Sequence, residues 1–311
     1  MSRGARALQA ERTPGRPGPG PMPDSVLRAL DITIGRRVSG LLQGDYRSSS
    51  LGRGTELAQI RPYVAGDDVR LIDWNVTART GEPHVRVQVA ERILTTWLVL
   101  DTSPSMAFGT ADRRKADVAE GVALATGHVA TRRANRLGVV TFGGGLEETI
   151  PPHQGRAGML NLLIELRRQP ATPVTGRMTL GQALGRVSKL SGWSRLVVVV
   201  SDFRGPRDWQ APLMELAGRH AVLCVEIRDP REQELPDMGH LHLIDPETGR
   251  QLRVDTGNRR LRERFAAAAA AERAEVAAMI GRAGARHITL STAGDWLKVF
   301  AGEVSRKGVR T

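Results

Sequence analysis

The segment TTWLVLDTSPS, residues 95–105, decides the fold, because an uninterrupted apolar strand runs directly into an aspartate and two serines. A second segment, SRLVVVVSD at residues 194–202, has the same form and also ends in an aspartate. Continuous apolar runs of this length are typical of strands buried on both faces of a parallel sheet. Helical patterns lie between such strands, so the sequence predicts an α/β fold with a doubly wound, mainly parallel sheet.

The alternation of strands and helices continues over residues 95–307, which we expect to form the main domain. Residues 24–94 precede it as a small N-terminal extension, and residues 1–23, rich in Gly, Pro and Arg, are expected to form a disordered tail. In the main domain, further strands are predicted at 136–144, 220–229 and 287–292, a hairpin at 240–254, and helices at 113–132, 156–168, 179–190, 208–218, 258–282 and 294–306.

The composition indicates a globular chain without a membrane span. The 311 residues are 41% apolar, and none of the apolar runs approaches the roughly 18–20 residues that cross a bilayer. The lone cysteine, Cys224, excludes internal disulfides and a cysteine-built metal site. Because the N-terminus also lacks the apolar stretch of a secretory signal, we expect a cytoplasmic location.

The net charge of +12 arises mainly from arginine, since all but four of the 45 basic residues are arginines. Nucleic-acid binding favours a localised basic stripe, often with aromatic residues between the charges. Here the arginines are scattered and aromatic residues make up only 4%. We therefore expect an arginine-rich solvated surface and no specific nucleic-acid partner, with nonspecific contact to nucleic acid or acidic partners as the alternative.

Oxygen-bearing side chains follow two of the predicted strands where each strand ends. Asp101, Ser103 and Ser105 follow the first strand, and Asp202 ends the second. An open, doubly wound sheet places its site beyond the carboxyl ends of its strands, where these oxygens can meet. Carboxylates and hydroxyls are hard ligands that suit Mg²⁺ or Mn²⁺, so the sequence predicts a divalent-cation site. For a single aspartate after a strand, the alternative is a helix N-cap.

The Asp-x-Ser-x-Ser pattern after an apolar strand, with a later strand ending in aspartate, resembles the von Willebrand factor type A domain over residues 95–307. The resemblance implies a metal-ion-dependent adhesion site (MIDAS) in which Asp101, Ser103, Ser105 and Asp202 bind the cation, together with a threonine from a second loop. On this resemblance the site would serve protein interaction.

The identity of the threonine ligand is open. The family pattern places a threonine a few residues before an Ala-Leu pair at a helix start, and counting back from Ala183-Leu184 reaches Met178. Thr179 lies one position late, and Thr175 lies three positions early. Either a one-residue shift brings Thr179 into the site, or the site lacks this ligand.

Upstream of the main domain, the chain carries an Arg-x-Tyr-x-x-Gly-Asp-Asp core followed by Ile-Asp-Trp and Ala-Arg-Thr, formed by Arg61, Tyr63, Gly66, Asp67, Asp68, Ile72, Asp73, Trp74, Ala78, Arg79 and Thr80. Residues 54–92, which contain this pattern, are similar to the signature segment of the bacterial family called domain of unknown function 58. The resemblance implies that an adhesion-type domain follows the segment. It also implies that the protein works with a MoxR-class AAA+ ATPase, or with that ATPase's client, in the assembly or maturation of other proteins.

The residues of segment 54–92, taken alone, alternate acidic side chains with arginines. Bidentate Arg–carboxylate pairs could hold such a segment together with little core, so we expect a structural scaffold, with partner docking as the alternative. Trp74 is expected in the core, and an exposed anchor is the alternative. The closing stretch HVRVQVAER, residues 84–92, alternates apolar and polar residues and predicts a strand.

Three enzyme signatures are missing from the sequence. It has no GxxxxGK[ST] phosphate loop and no Gly-x-Ser-x-Gly element, and Ser103 stands where a haloacid-dehalogenase phosphatase needs its general acid. The two resemblances imply a metal-dependent protein-interaction module, not an enzyme, that acts as an adaptor with a MoxR-class ATPase, and the missing signatures agree with that expectation. The alternative is a Mg²⁺-assisted phosphatase or other hydrolase at the same strand-end site, and a basic nucleic-acid binder is a third hypothesis.

Overall fold

The structure is a computed structural model that describes residues 18–28, 56–89, 95–131, 135–144, 149–155, 157–159, 161–162, 177–192, 196–245 and 249–306. The chain divides into two compact units, one formed by Met1–Ser39 with Leu94–Thr311 and the other by Gly40–Ile93. We call the first the sheet unit and the second the small unit.

The strands of the described chain are β1 (Glu56–Pro62), β2 (His84–Val89), β3 (Thr95–Asp101), β4 (Arg136–Phe142), β5 (Thr149–Gln154), β6 (Leu196–Ser201), β7 (Ala221–Arg228), β8 (His240–Ile244), β9 (Gln251–Asp255) and β10 (Arg286–Ser291). Its helices include α1 (Trp74–Thr80), α2 (Lys115–Ala130), α3 (Leu180–Leu190), α4 (Gln210–Ala217), α5 (Arg259–Arg282) and α6 (Trp296–Ser305), and residues 24–28 are also helical. Short 3-10 helices span Val69–Leu71, Pro104–Ala107 and Pro230–Glu232. None of these helices is both long and apolar enough to cross a bilayer.

A six-stranded sheet forms the centre of the sheet unit, in the order β10-β7-β6-β3-β4-β5. Its first five strands are parallel, and the edge strand β5 runs antiparallel to β4. The predicted α/β class with a doubly wound, mainly parallel sheet is therefore confirmed. The predicted hairpin is also confirmed, since β8 and β9 pair antiparallel in a separate two-stranded sheet.

Strand β5 is the one member of the sheet that the apolar pattern fails to predict. Its sequence, TIPPHQ, contains two prolines, and a proline lacks the N–H group that an inner strand needs. An edge strand tolerates proline because only one of its sides pairs with a neighbour. Of the helix predicted at 156–168, residues 157–159 and 161–162 are helical, and the remainder lies outside the described residues.

Strand β3 lies inside the sheet and is buried along its whole length. Because successive side chains of a strand point to opposite faces, Leu98 joins the apolar cluster that contains Val122 of α2 and Phe300 of α6, while Trp97 joins the cluster that contains Leu184 of α3. Helices therefore cover both faces of the sheet and bury apolar surface worth about 25 cal/mol per Å². The carboxylates of Asp101 and Asp202 lie at the carboxyl ends of the buried strands β3 and β6.

Residues 18–23 are part of the predicted tail, belong to the sheet unit and bond to its later elements. The carbonyl oxygen of Pro19 accepts hydrogen bonds from Arg113 Nη1 at 3.0 Å and from Trp296 Nε1 at 2.9 Å. These two bonds connect the segment to the loop before α2 and to the start of α6. Residues 1–17 lie outside the described residues.

The small unit pairs β1 with β2 antiparallel and is held by ion pairs. Arg61 forms a bidentate pair with Asp67, with N–O distances of 2.6 and 2.7 Å. Hydrogen bonding from Arg61 is the largest cause that lowers the pKa of Asp67 to about 2. Arg86 Nε donates to Asp73 Oδ2 at 2.8 Å, and the other oxygen of Asp73 caps α1. The predicted pairing of arginines with carboxylates is therefore present in this unit.

The expectation that Trp74 lies in the core is wrong, because 69% of its surface is exposed. Trp74 is the first residue of α1, directly after the Asp73 cap, and this seven-residue helix buries none of its residues. Val64 and Val69 of the same unit are also exposed. Among the described residues of the small unit, two strands and so short a helix do not cover this large aromatic side chain.

Leu98→Ala should lower the free energy of unfolding by about 2–5 kcal/mol, because this fully buried side chain leaves a cavity when it is truncated. Leu190→Ala, at the last residue of α3, removes the same atoms from a side chain that is 52% exposed and should cost no more than about 1 kcal/mol. Urea unfolding followed by circular dichroism compares the two variants. Equal losses would contradict the placement of β3 inside the core.

Candidate metal site

Two carboxylates end neighbouring parallel strands of the sheet. Asp101 is the last residue of β3, Asp202 directly follows β6, and each is 5% exposed. The two strands pair in register with Leu100 opposite Val200, so both carboxylates leave the sheet at the same edge. Ser201 Oγ donates a hydrogen bond to Asp101 Oδ2 at 2.5 Å, which joins the two strand ends directly.

The loop after β3 carries the two predicted serine ligands. Asp101 Oδ1 accepts a hydrogen bond from the backbone N–H of Ser103 at 2.9 Å, and Pro104 starts the 3-10 helix that follows. The hydroxyl groups of Ser103 and Ser105 form a hydrogen bond with each other, with 3.0 Å between their oxygens. Octahedral Mg²⁺ with ligands at about 2.0–2.1 Å places neighbouring ligand oxygens about 2.9 Å apart, so this spacing suits two adjacent positions around one ion.

The pKa of Asp101 is raised from its ordinary 3.8 to about 7. Burial, which disfavours the charged carboxylate, is the largest cause, and the negative charge of nearby Asp202 is the second. Hydrogen bonds from Ser103 and Ser201 act in the opposite direction but are outweighed. A charged Asp101 is therefore costly near neutral pH, and a cation placed beside it would relieve that cost.

Asp202 is bound by a lysine that the strand-end pattern does not predict. Lys115 Nζ donates to Asp202 Oδ2 at 2.6 Å and to Glu232 Oε1 at 2.7 Å, and the lysine is fully buried. Asp202 Oδ1 accepts a hydrogen bond from the backbone N–H of Arg204 at 3.0 Å. The sequence holds one signal for this contact, because lysine is rare in this arginine-rich chain and Lys115 begins the first helix after the Asp-x-Ser-x-Ser loop.

Thr179 lies immediately before α3, and its hydroxyl group makes its bonds there. It accepts a hydrogen bond from the backbone N–H of Gln182 at 3.2 Å and donates one to a carboxylate oxygen of Asp208. Met178, which the family pattern aligns with the threonine, is buried in the core, and Thr175 lies outside the described residues. The contacts of Thr179 therefore support the role of a helix N-cap.

The structure brings Asp101, Ser103, Ser105 and Asp202 to one edge of the sheet, while the hydroxyl of Thr179 bonds to Asp208 and to the N–H of Gln182. Nowhere in the described ranges do three His, Cys, Asp or Glu residues group so that they could hold a metal. A cation at this edge would thus need hydroxyls and water besides carboxylates, a ligand set that Mg²⁺ and Mn²⁺ accept. Within the part of the chain that the structure describes, the hydrogen bonds to buried Asp101 come from neutral donors, so a bound cation would compensate its charge and the residues fit one.

Gly143, at the end of β4, packs directly on the loop that carries the candidate ligands. Its φ of +75° lies in the left-handed region, and an added Cβ would lie 2.8 Å from Ser103 Cβ and 3.1 Å from Asp101 Oδ1. Glycine satisfies both the backbone conformation and the close approach. The glycine pair at 143–144 therefore packs against the loop that carries the candidate ligands. In the sequence, the pair is marked only by its position after a predicted strand.

Asp229, just beyond β7, anchors the chain segment that leads into α2. This fully buried carboxylate accepts hydrogen bonds from the N–H of Thr110 at 2.8 Å, from the hydroxyl of Thr110 at 2.6 Å and from the hydroxyl of Thr292 at 2.6 Å. Burial alone would raise the pKa of Asp229, but these hydrogen bonds outweigh it and the pKa is lowered. Asp229 is therefore an ionised, structural group that holds in place the chain segment leading to Lys115.

One family model and several curated proteins match most of this chain. The family described as "Protein of unknown function DUF58" matches residues 59–275. The uncharacterized protein Rv1480 of Mycobacterium tuberculosis is 40% identical over 275 residues, which cover 88% of this chain and 86% of that protein. An uncharacterized protein of Mycobacterium avium, MAV169, is 41% identical over 150 residues, which cover 48% of this chain and 87% of that protein.

Solved structures similar to this chain include a conserved hypothetical protein, BatB, from Bacteroides thetaiotaomicron. It has a TM-score of 0.45 and 14% identity, and the match covers 68% of this chain and 97% of BatB. A von Willebrand factor type A protein from Catenulispora acidiphila has a TM-score of 0.33 and 15% identity, with 45% of this chain and 34% of that protein covered.

Gly143→Ala should lower the free energy of unfolding by about 2–5 kcal/mol, because it adds a left-handed backbone penalty to a close contact with Ser103. Gly284→Ala is the matched control, since its φ is +76° but no atom lies within 4 Å of an added Cβ, and it should cost only about 1–2 kcal/mol. Urea unfolding measures both variants. If Gly143→Ala costs no more than Gly284→Ala, the close packing on the site loop is contradicted.

Asp101→Asn should stabilise the chain at pH 8 in the presence of a chelator. An acid whose pKa is higher in the folded state destabilises the fold as pH rises from about 4 to about 7, and the amide removes this cost. The advantage of Asp101→Asn over wild type should grow between pH 5 and pH 8 by an amount on the order of 2 kcal/mol. Thermal unfolding at both pH values checks this, with exposed Glu234→Gln as a control expected to show no such growth. An advantage that stays constant with pH would contradict the raised pKa.

Proposed function

We propose that this chain, which belongs to the DUF58 family of proteins of unknown function, acts as a divalent-cation-dependent protein-interaction module and not as an enzyme. The observation that carries the proposal is the buried carboxylate of Asp101 beside two hydroxyls spaced 3.0 Å apart. These are oxygen ligands in a spacing that suits one octahedral ion. The site lies at the carboxyl edge of the sheet, where doubly wound folds bind their ligands.

In this proposal Mg²⁺ or Mn²⁺ is held by the carboxylate of Asp101 and the hydroxyls of Ser103 and Ser105, with Asp202 contributing through its charge or through water. The bound cation would supply a positive charge that an acidic side chain of a partner can contact. The chain itself orients the hydroxyls through the Ser103 N–H bond to Asp101 Oδ1 and keeps the two strand ends joined through Ser201. Affinity for the partner would then depend both on the cation and on a carboxylate of the partner.

The contacts around Asp101 favour binding over hydrolysis. A hydrolase at this edge would need a second group to transfer a proton, and the nearest described carboxylate, Asp202, is bound to Lys115 and to the N–H of Arg204. Ser103, two residues after Asp101, cannot serve as a carboxylic general acid. These contacts support a site that binds a cation and does not transfer protons.

The resemblance of residues 54–92 to the DUF58 signature suggests a MoxR-class AAA+ ATPase, or its client, as the partner to test. Together they would assemble or mature other proteins, with this chain as the adaptor. A cytoplasmic setting belongs to the same proposal, and the single cysteine, Cys224, which is buried and free, is consistent with it.

Asp101→Ala should abolish the Mg²⁺-dependent capture of a MoxR-class ATPase by the full chain, because it removes the carboxylate proposed to hold the cation. Wild type should capture the ATPase in Mg²⁺ and lose it in chelator, and exposed Glu234→Ala should behave like wild type in both. Circular dichroism should show the same folded spectrum for all three proteins.

Capture of the ATPase that is equal in Mg²⁺ and in chelator would rule out the cation-dependent module. The same three proteins, assayed for Mg²⁺-dependent hydrolysis of a phosphate monoester, separate the proposal from the hydrolase alternative. Turnover by wild type that is lost in Asp101→Ala would replace the binding function with a catalytic one.

A further inference from the structure

We infer that Lys115 is a built-in cation that competes with a divalent ion for Asp202 and thereby sets the cation affinity of the strand-end site. The inference rests on the proposed function because both concern the edge formed by Asp101 and Asp202. It goes further in assigning a role to a residue that no Asp-x-Ser-x-Ser pattern contains. Lys115 is a positioning and affinity-determining residue in this account, not a ligand.

The ammonium group of Lys115 is fully buried and is held from several sides. It donates to Asp202 Oδ2 at 2.6 Å and to Glu232 Oε1 at 2.7 Å, and the ring of Phe108 lies 6.0 Å from it. The backbone N–H of Lys115 donates to the carbonyl of Phe108 at 2.9 Å, which fixes the start of α2. A buried ammonium is tolerated only when carboxylates compensate it, so this arrangement holds Lys115, Asp202 and Glu232 as one unit.

Asp101 differs from the other two carboxylates of this edge in the kind of partner it has. Lys115 pairs with both Asp202 and Glu232, and Arg204 Nη1 lies 3.5 Å from Glu232 Oε1. Asp202 and Glu232 share the lysine, while Asp101 has hydroxyl and N–H donors. Of these three carboxylates, Asp101 is therefore the one whose ionised form a bound cation would favour most, and the hydroxyls of Ser103 and Ser105 lie in the loop beside it.

Lys115 and a divalent ion would compete for Asp202, because the lysine already donates a hydrogen bond to that carboxylate. Lys115 ties the loop after β6 to α2 and to the 3-10 helix at 230–232 without a divalent ion, and Arg204 of the same loop also pairs with Glu232. An ion at Asp101 would meet an Asp202 that is already neutralised, and its own charge would repel the buried ammonium. When the lysine charge is removed, a divalent ion can compensate both buried carboxylates of the site, Asp101 and Asp202. The affinity of the site for the ion should therefore rise.

The test measures Mn²⁺ binding to the full chain by electron paramagnetic resonance and, in parallel, thermal unfolding with and without Mn²⁺. Lys115→Met keeps most of the side-chain length and removes its charge. It should raise Mn²⁺ affinity about tenfold or more and make the unfolding midpoint strongly dependent on Mn²⁺. Arg204→Met is the matched control, because it removes a charge from the same acidic cluster at a side chain that is 42% exposed. It should change the affinity less than about twofold.

Glu232→Gln provides a second variant that changes the site in the opposite direction. It removes one of the two carboxylates that share Lys115, so the lysine binds Asp202 alone and Mn²⁺ affinity should fall. If Lys115→Met folds only when Mn²⁺ is present, the inference is supported. If Lys115→Met does not fold in either condition, Glu232→Gln decides, and an unchanged or higher Mn²⁺ affinity would overturn the inference.

The outcomes separate this inference from the proposed function. Equal Mn²⁺ affinity in Lys115→Met, Arg204→Met and wild type would overturn the role of Lys115 and leave the cation-dependent function standing. Binding by Lys115→Met but not by wild type would support the inference and reject a cation-dependent function for the natural chain. Absence of binding in every variant would overturn both.

Discussion

Two like charges buried at neighbouring strand ends are the constraint on which this structure depends. Asp101 and Asp202 leave the sheet side by side because β3 and β6 pair in parallel, and both strands are covered by helices on either face. Low-dielectric surroundings make an uncompensated carboxylate expensive, so each must find a partner. Asp202 accepts a hydrogen bond from the ammonium group of Lys115, and Asp101 accepts hydrogen bonds from a hydroxyl and an N–H group. The proposed function and the role of Lys115 both follow from that asymmetry.

The same asymmetry links the fold to its proposed use. Helices cover both faces of the sheet, and the two carboxylates lie at the ends of its strands. There Lys115 binds Asp202 in the loop after β6 without a divalent ion, and a bound cation would favour the ionised form of the buried Asp101. Reversible recognition through a cation needs both properties, because the protein must stay folded when the cation leaves.

The sequence could predict what depends on local pattern and could not predict what depends on distant contacts. Buried parallel strands read as apolar runs, so β3 and β6 and the carboxylates after them were predictable. Proline-containing β5 has no such run and becomes a strand only because an edge accepts it. The bond from Lys115 to Asp202 joins positions 87 residues apart, and the bond from Thr179 to Asp208 joins positions 29 residues apart. Trp74 is exposed because the described strands and helix of its unit do not cover it.

The most direct test of the account is anomalous diffraction from a crystal of the full chain soaked in Mn²⁺. The account predicts one strong anomalous peak at the carboxyl edge of the sheet, within coordination distance of the Asp101 carboxylate and the hydroxyls of Ser103 and Ser105. A map with no peak at this edge, while Mn²⁺ occupies other surface carboxylates of the same crystal, would contradict it.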